Sequence, residues 1–130
     1  MRDADFEEIS KRCSAHRIRR KARLISRQYD EALRPSGLKV TQFSLMVAIE
    51  TQKHGSISEL AEAMGLERTT LTRNLSVLQN LGFVEPKPDQ SGRSRQMQLT
   101  AKGLQALEVA FPYWQDVQLK IESDEASLVI

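Results

Sequence analysis

Two stretches of this chain carry groups suited to holding an anion. In "PDQSGRSRQMQLT", Pro88 to Thr100, Arg93 and Arg95 follow a glycine turn and precede alternating polar and apolar residues. Buried arginine is costly, and arginine at an exposed hairpin tip adds nothing to stability, so the pair points at something anionic outside the protein. The second stretch is "ERTTLTRNLSVLQNLG", which begins at Glu67. At 100° per residue its Leu71, Leu75 and Leu78 fall within about 60° of one another and form a core face. Thr69, Thr72, Arg73, Ser76 and Asn80 lie opposite, without a carboxylate among them. Such groups donate to phosphate oxygens and read base edges in a major groove.

These residues need a frame, and the periodicity supplies one. From Phe6 to Leu33 the apolar residues Ile18, Ala22, Ile25, Tyr29 and Ala32 recur at helical spacing, which predicts one long helix ended by "RPSG" at 34 to 37. Thr41 is expected to cap a buried helix, "TQFSLMVAIETQ", containing Phe43, Leu45, Met46, Val47 and Ile49, with "KHG" at 53 to 55 as its breaker. Ser58 is expected to start a short helix with Leu60, Ala61 and Met64 inward and Gly65 as its stop. A tight turn at Leu66 then leads into the polar-faced helix. Two short helices joined in this way, the second basic on its outside, read as a helix-turn-helix.

Gly82 closes that helix, and "FVEP" at 83 to 86 pairs with "RQMQLT" as a hairpin whose tip carries Arg93. The hairpin reads as a wing, poised for the electronegative minor groove or the backbone beside the entered groove. Thr100 is expected to cap a final helix with Leu104, Leu107, Phe111, Trp114 and Ile121 on one face, interrupted at Pro112. The fold class is therefore mainly α with a small β-hairpin, a winged helix-turn-helix flanked by long terminal helices. The apolar faces of those outer helices exceed what one winged helix can cover, which predicts a symmetric homodimer.

Composition agrees with one domain. The chain has 130 residues, 40% hydrophobic, with mean hydropathy −0.43, and no apolar run approaches the length of a membrane span. The opening "MRDADFEEIS" lacks the apolar core of a signal peptide, so the expectation is a cytoplasmic protein without a membrane partner. One cysteine and two histidines argue against an intrachain disulfide and a protein-only zinc site, and neither metal nor cofactor is expected. Charge is uneven: residues 1–34 carry ten basic and six acidic side chains, 67–102 six and three, and 103–130 one and five. That distribution suggests a local anionic partner. Arg68 has Glu67 and Glu62 as candidate ion-pair partners, and Lys87 reads as a rim charge. The "RIRRKAR" run, scattered round its helix, reads as a solvated face with some residues at a dimer edge or near phosphates.

The order "GLKVTQFSLM", "ISELAEAMGLERTTLTRNLSVLQNLGFVE", arginine hairpin and "LTAKG" resembles the multiple-antibiotic-resistance regulator (MarR) family of winged-helix repressors, over roughly Arg17 to Gln118. The resemblance implies one domain over 1–130, with helices at 6–34 and 101–130 forming a dimer and 38–100 binding double-stranded DNA at a pseudopalindromic operator. Carried over by position, Thr69, Thr70 and Arg73 match the recognition helix, and Arg93 matches the wing arginine. Where the family usually has an aspartate two residues before that arginine, this chain has Ser91, with Asp89 further back; the aspartate of the recognition helix's second half is Ser76. Ile18, Ile25, Leu104, Leu107, Phe111 and Trp114 fall on the dimer helices.

The resemblance also suggests release by a small-molecule effector or an oxidant. His16, Arg20, Phe43 and Trp114 are the candidate effector contacts, with ordinary packing as the competing reading. Arg12, His16 and Arg17 would favour a thiolate at Cys13, and organic-hydroperoxide repressors of the family use a first-helix cysteine. Ungapped alignment on "RQY" and "TQF" puts that cysteine at Ala15 and a companion tyrosine at Val40, so only Tyr29 agrees and packing at an interface is the favoured role. Among other function classes, a winged helix for protein interaction would carry aromatic or aliphatic anchors on its outward helix. An enzyme would need a site motif, and the chain has no P-loop, GxGxxG, HExxH or nucleophile elbow.

Overall fold

A computed structural model describes residues 1–52, 55–88 and 95–127, the last three by backbone alone. The stretch expected to be one long helix is two: α1 (Asp3–Arg12) and α2 (Ser14–Leu33), parted at an extended Cys13 with ψ 108°. No glycine or proline marks the break. Helix α1 buries none of its residues, so no core contact holds it in line with α2. The backbone stays satisfied, since Cys13 N–H donates to the Ile9 carbonyl at 2.9 Å and Arg17 N–H to the Cys13 carbonyl at 3.1 Å.

After a 3₁₀ turn (Arg34–Ser36), α3 (Val40–Thr51) starts with Lys39 as its cap, so Thr41 lies inside the helix and does not cap it. The cap is tertiary. Val40 N–H donates to Asp30 Oδ1 on α2 at 2.8 Å, and Lys39 N–H to Gln42 Oε1 at 3.0 Å. A carboxylate at that position both satisfies an orphan donor and meets the positive end of the helix. Helix α3 buries Phe43, Leu45, Met46 and Ile49, but Val47 remains 38% exposed.

Helix α4 (Ile57–Met64) is capped by Ser56, not begun at Ser58. Ser56 Oγ accepts from Glu59 N–H at 3.2 Å while Ser56 N–H donates to Glu59 Oε1 at 3.3 Å, a reciprocal box that Ser58 has no glutamate to close. Gly65 ends α4 in the left-handed region, φ 66°, and α5 (Arg68–Asn80) follows. The hairpin pairs β1 (Val84–Pro86) with β2 (Met97–Leu99) antiparallel, Val84 opposite Leu99 and Pro86 opposite Met97. Helix α6 (Ala101–Ser127) then runs through Pro112 without the expected interruption. The missing N–H frees only the carbonyl four residues back, and Glu108 and Pro112 are both exposed, where an unpaired carbonyl costs least.

Leu33, Met46, Leu71 and Leu78, each at most 1% exposed, join α2, α3 and α5 in one core, which reaches Leu60 of α4, Val84 and Met97 of the hairpin and Ala110 of α6. On α6 the face expected to be apolar divides. Ile121 is buried and Leu107 and Trp114 are half-buried, but Leu104 and Phe111 are each 49% exposed, and Ala110 and Val117 take their place inward.

A junction fixes the recognition region to α6. Thr100 caps α6 as expected: Gly103 N–H donates to its Oγ1 at 3.0 Å, and the hydroxyl donates to the Gly82 carbonyl at 2.6 Å. Thr100 N–H donates to the Phe83 carbonyl at 3.0 Å, and Lys102 Nζ donates to the Leu81 carbonyl at 2.7 Å while lying 5.3 Å from the Phe83 ring centroid. A Cβ on Gly103 would stand 2.1 Å from the Phe83 carbonyl oxygen. Alanine normally gains about 1 kcal/mol over glycine inside a helix, but this clash is with backbone and dominates. Gly103→Ala is therefore expected to lower unfolding free energy by about 3 kcal/mol or to open the junction, read by urea denaturation; a variant as stable as the parent would refute the close approach.

Candidate nucleic-acid interface

The outward face of α5 is built by the packing of its inward one. With Leu71, Leu75 and Leu78 locked in the core, Thr69, Thr72, Arg73, Ser76 and Asn80 are exposed together, and Thr70 is half-buried at the edge. Thr72 Oγ1 donates to the Arg68 carbonyl at 2.9 Å and Ser76 Oγ to the Thr72 carbonyl at 3.0 Å. Both hydroxyls thus turn lone pairs outward, able to accept from a base amine, and need only rotate to donate to a phosphate. Arg68 is exposed and pairs with neither Glu67 nor Glu62, which adds a second cation at the start of the helix.

The wing is described up to Pro88 and from Arg95 onward. Arg95 is exposed two residues before β2. Arg93, with Asp89 and Ser91, lies outside the described residues. Lys87 extends the ladder, its N–H donating to the Gln96 carbonyl at 2.9 Å and its Nζ to Gln96 Oε1 at 3.2 Å, so the sequence's rim charge also has a structural bond.

The four candidate effector residues do not come together. His16 and Arg20 are exposed on α2, whereas Phe43 stacks on Trp114 (centroids 6.3 Å) and Trp114 on Phe111 (6.1 Å). An apolar cavity of about 480 Å³ lies elsewhere, between α2, α3 and the helix-turn-helix, and none of the four lines it. Its walls include Ile25, Tyr29, Leu45, Met64, Leu66 and Asn74. Tyr29 is held by a hydrogen bond from its hydroxyl to Gln118 Oε1 of α6. Sequence reasoning missed this space because its lining is ordinary core chemistry drawn from four separate elements. Cys13 is partly exposed at the α1–α2 break, and neighbouring Arg12 is paired with Glu8 at 2.6 Å. Of the proposed dimer residues, Ile18 is 68% exposed, Ile25 is half-buried and Leu104 and Phe111 are open; Phe6 and Ile9 on α1 add 58% and 54% exposed apolar side chains.

Comparison with known proteins gives this geometry a lineage. The family model of the MarR family matches residues 36–94, which span α3 to the hairpin. The Mycobacterium tuberculosis transcriptional regulator MosR, solved in complex with DNA, is 44% identical and superposes with a TM-score of 0.78 over 85% of this chain and 81% of MosR. The chain belongs to the MarR family. Within it, the Escherichia coli (strain K12) transcriptional repressor MprA is 34% identical over 86 residues, 64% of this chain and 49% of MprA, so the chain spans about half the length of that curated relative. A mutant MarR from Escherichia coli, complexed with operator DNA, shares the fold at 21% identity with a TM-score of 0.77, over 90% of this chain and 85% of that one. These family members are transcriptional regulators, not enzymes. Among the described residues no helix is long and apolar enough to cross a membrane.

Because the outward α5 side chains support no core contact, replacing Thr69 and Arg73 together by alanine should change unfolding free energy by less than about 0.5 kcal/mol. Leu75→Ala, by contrast, should cost about 2 to 5 kcal/mol. Equal losses in urea titrations of the two variants would show that the outward face is structural.

Proposed function

We propose that this chain is a sequence-specific DNA-binding regulator that acts as a homodimer and represses transcription from a pseudopalindromic operator. The observation that carries the reading is the exposed, carboxylate-free face of α5, held on a helix-turn-helix and bearing Thr69, Thr72, Arg73 and Ser76. A carboxylate there would repel phosphate; an aromatic or aliphatic cluster would suit a protein partner instead. Arg73 reads a base edge, Thr69, Thr70, Thr72 and Ser76 support it, and Arg93 and Arg95 serve the wing. The complexes of MosR and of MarR with DNA, and the repressor MprA, support this assignment.

A partner copy covers the open apolar surfaces of α1, α2 and α6, where Phe6, Ile9, Ile18, Leu104 and Phe111 stand in solvent. Release is by a small, neutral, largely apolar ligand in the cavity beside Tyr29 and Leu66. That space touches the turn preceding α5 and Asn74 within it, so filling it moves the reading helix against the dimer helix. Cys13 is a packing residue at the bend, with oxidant sensing as the second reading.

Arg73→Ala is expected to lose roughly 1 to 3 kcal/mol per half-site on the preferred duplex and much less on a scrambled one, measured by fluorescence anisotropy. Equal losses on both duplexes would remove Arg73 from base reading. Phe111→Glu should convert dimer to monomer in sedimentation velocity while leaving the helical signal intact; an unchanged dimer would place the interface elsewhere.

A further inference from the structure

Charge left over beside the recognition helix points to a second binding element. Seven residues border a notch of about 520 Å³ where α2 meets the start of α3, among them Arg27, Asp30, Glu31, Arg34 and Lys39. Its carboxylates are engaged: Asp30 Oδ1 accepts the Val40 N–H at 2.8 Å, and Glu31 holds Arg34 at 2.6 Å. Arg27 and Lys39 are exposed and enter no ion pair among the described residues. The notch adjoins the outward face of α5 through two links. Lys39 is tied to Gln42 by its backbone bond at 3.0 Å, and Gln42 and Thr41 share a cleft with Asn74 and Val77 of α5. Val77 lies one helical turn beyond Arg73, at the border of the outward face.

We propose that Arg27 and Lys39 form a seat for the phosphate backbone flanking the half-site, at the flank of α5 where the cleft of Thr41, Gln42, Asn74, Val77 and Leu78 joins it to the start of α3. The assignment rests on the DNA-binding reading above and adds to it a sequence-independent anchor that fixes how α5 enters the groove. Two cations without partners beside a reading helix have the chemistry of phosphate contacts, which position a protein without carrying base information. Two details support the occupant. The third cation, Arg34, is neutralised by Glu31, so the unpaired positive charge of the notch is that of Arg27 and Lys39, with Lys39 on the side linked to α5. The remaining Asp30 charge is directed into the α3 N-terminus.

The test compares the parent chain with the Arg27→Ala/Lys39→Ala double variant. The probes are the duplex that the parent selects from a random library and a scrambled duplex of equal length, titrated from low to moderate salt. Each phosphate contact contributes about 0.9 to the slope of log affinity against log salt, so the variant's slope should be shallower by about 2 per half-site. Affinity should fall in parallel on both duplexes, leaving the specificity ratio intact, and Arg27→Lys/Lys39→Arg should restore the slope. A parent that selects no duplex overturns the DNA-binding reading itself. A parent that binds specifically beside a double variant of unchanged slope overturns only the seat. So does a double variant whose dimer dissociates more readily in sedimentation at unchanged slope, because the cations would then be serving the acidic α6 of a second copy, which carries Asp116, Glu122 and Asp124.

Discussion

The contact on which the rest of the structure depends is the close approach of α6 to the chain leaving α5. Gly103 lets the helix backbone rest against the Phe83 carbonyl, and the same few residues close three problems of hydrogen bonding. Thr100 caps α6 and bonds Gly82, Lys102 reaches back to the last turn of α5 at Leu81, and Thr100 N–H meets Phe83 at the base of the hairpin. Recognition helix, wing and outer helix are therefore fixed relative to one another at a single point. Only Thr100 stands between β2 and α6, so the hairpin strand and the outer helix are joined without a loop.

The cavity beside Tyr29 sits on the other side of the same lever. It is bounded by α2, which is held to α6 through Tyr29 and Gln118, and by the turn between α4 and α5. One wall belongs to α2 and the other to the helix-turn-helix. A space of this kind is tolerated in a packed protein only at a cost in lost contacts. Its walls carry hydroxyls and an amide but no charge.

Electrostatics divide the surface without stiffening the core. The four ion pairs among the described residues are all exposed and local, at i,i+3 or i,i+4 spacing on α1 and α2, where such pairs contribute a few tenths of a kcal/mol. What they do decide is which cations remain available. Arg12 and Arg34 are occupied, whereas Arg27, Lys39, Arg68 and Arg73 are not. Among the described residues the unpaired cations thus include Arg68 and Arg73 on α5 and Arg27 and Lys39 beside the start of α3, together with Arg17, Arg19, Arg20 and Arg23 along α2.

Much of this was legible in the chain itself. The leucine spacing of α5 determined which side faces out, because a helix with three buried leucines at that period has no other way to lie. Gly65 and Gly82 marked their turns, since each adopts a positive φ that other residues avoid, and the Ser56 to Glu59 box was present in the letters although Ser58 was the residue expected to start the helix. Tertiary structure alone decided the rest. Asp30, ten residues upstream, replaced Thr41 as the donor's partner at α3 because another helix brought a carboxylate there. The bend at Cys13 followed from the absence of a core beside α1, and the division of the α6 face followed from which side met α2 and α3. The cavity and the cation notch join residues from elements distant in sequence, so local period and propensity, which report only near neighbours along the chain, contain no signal for them.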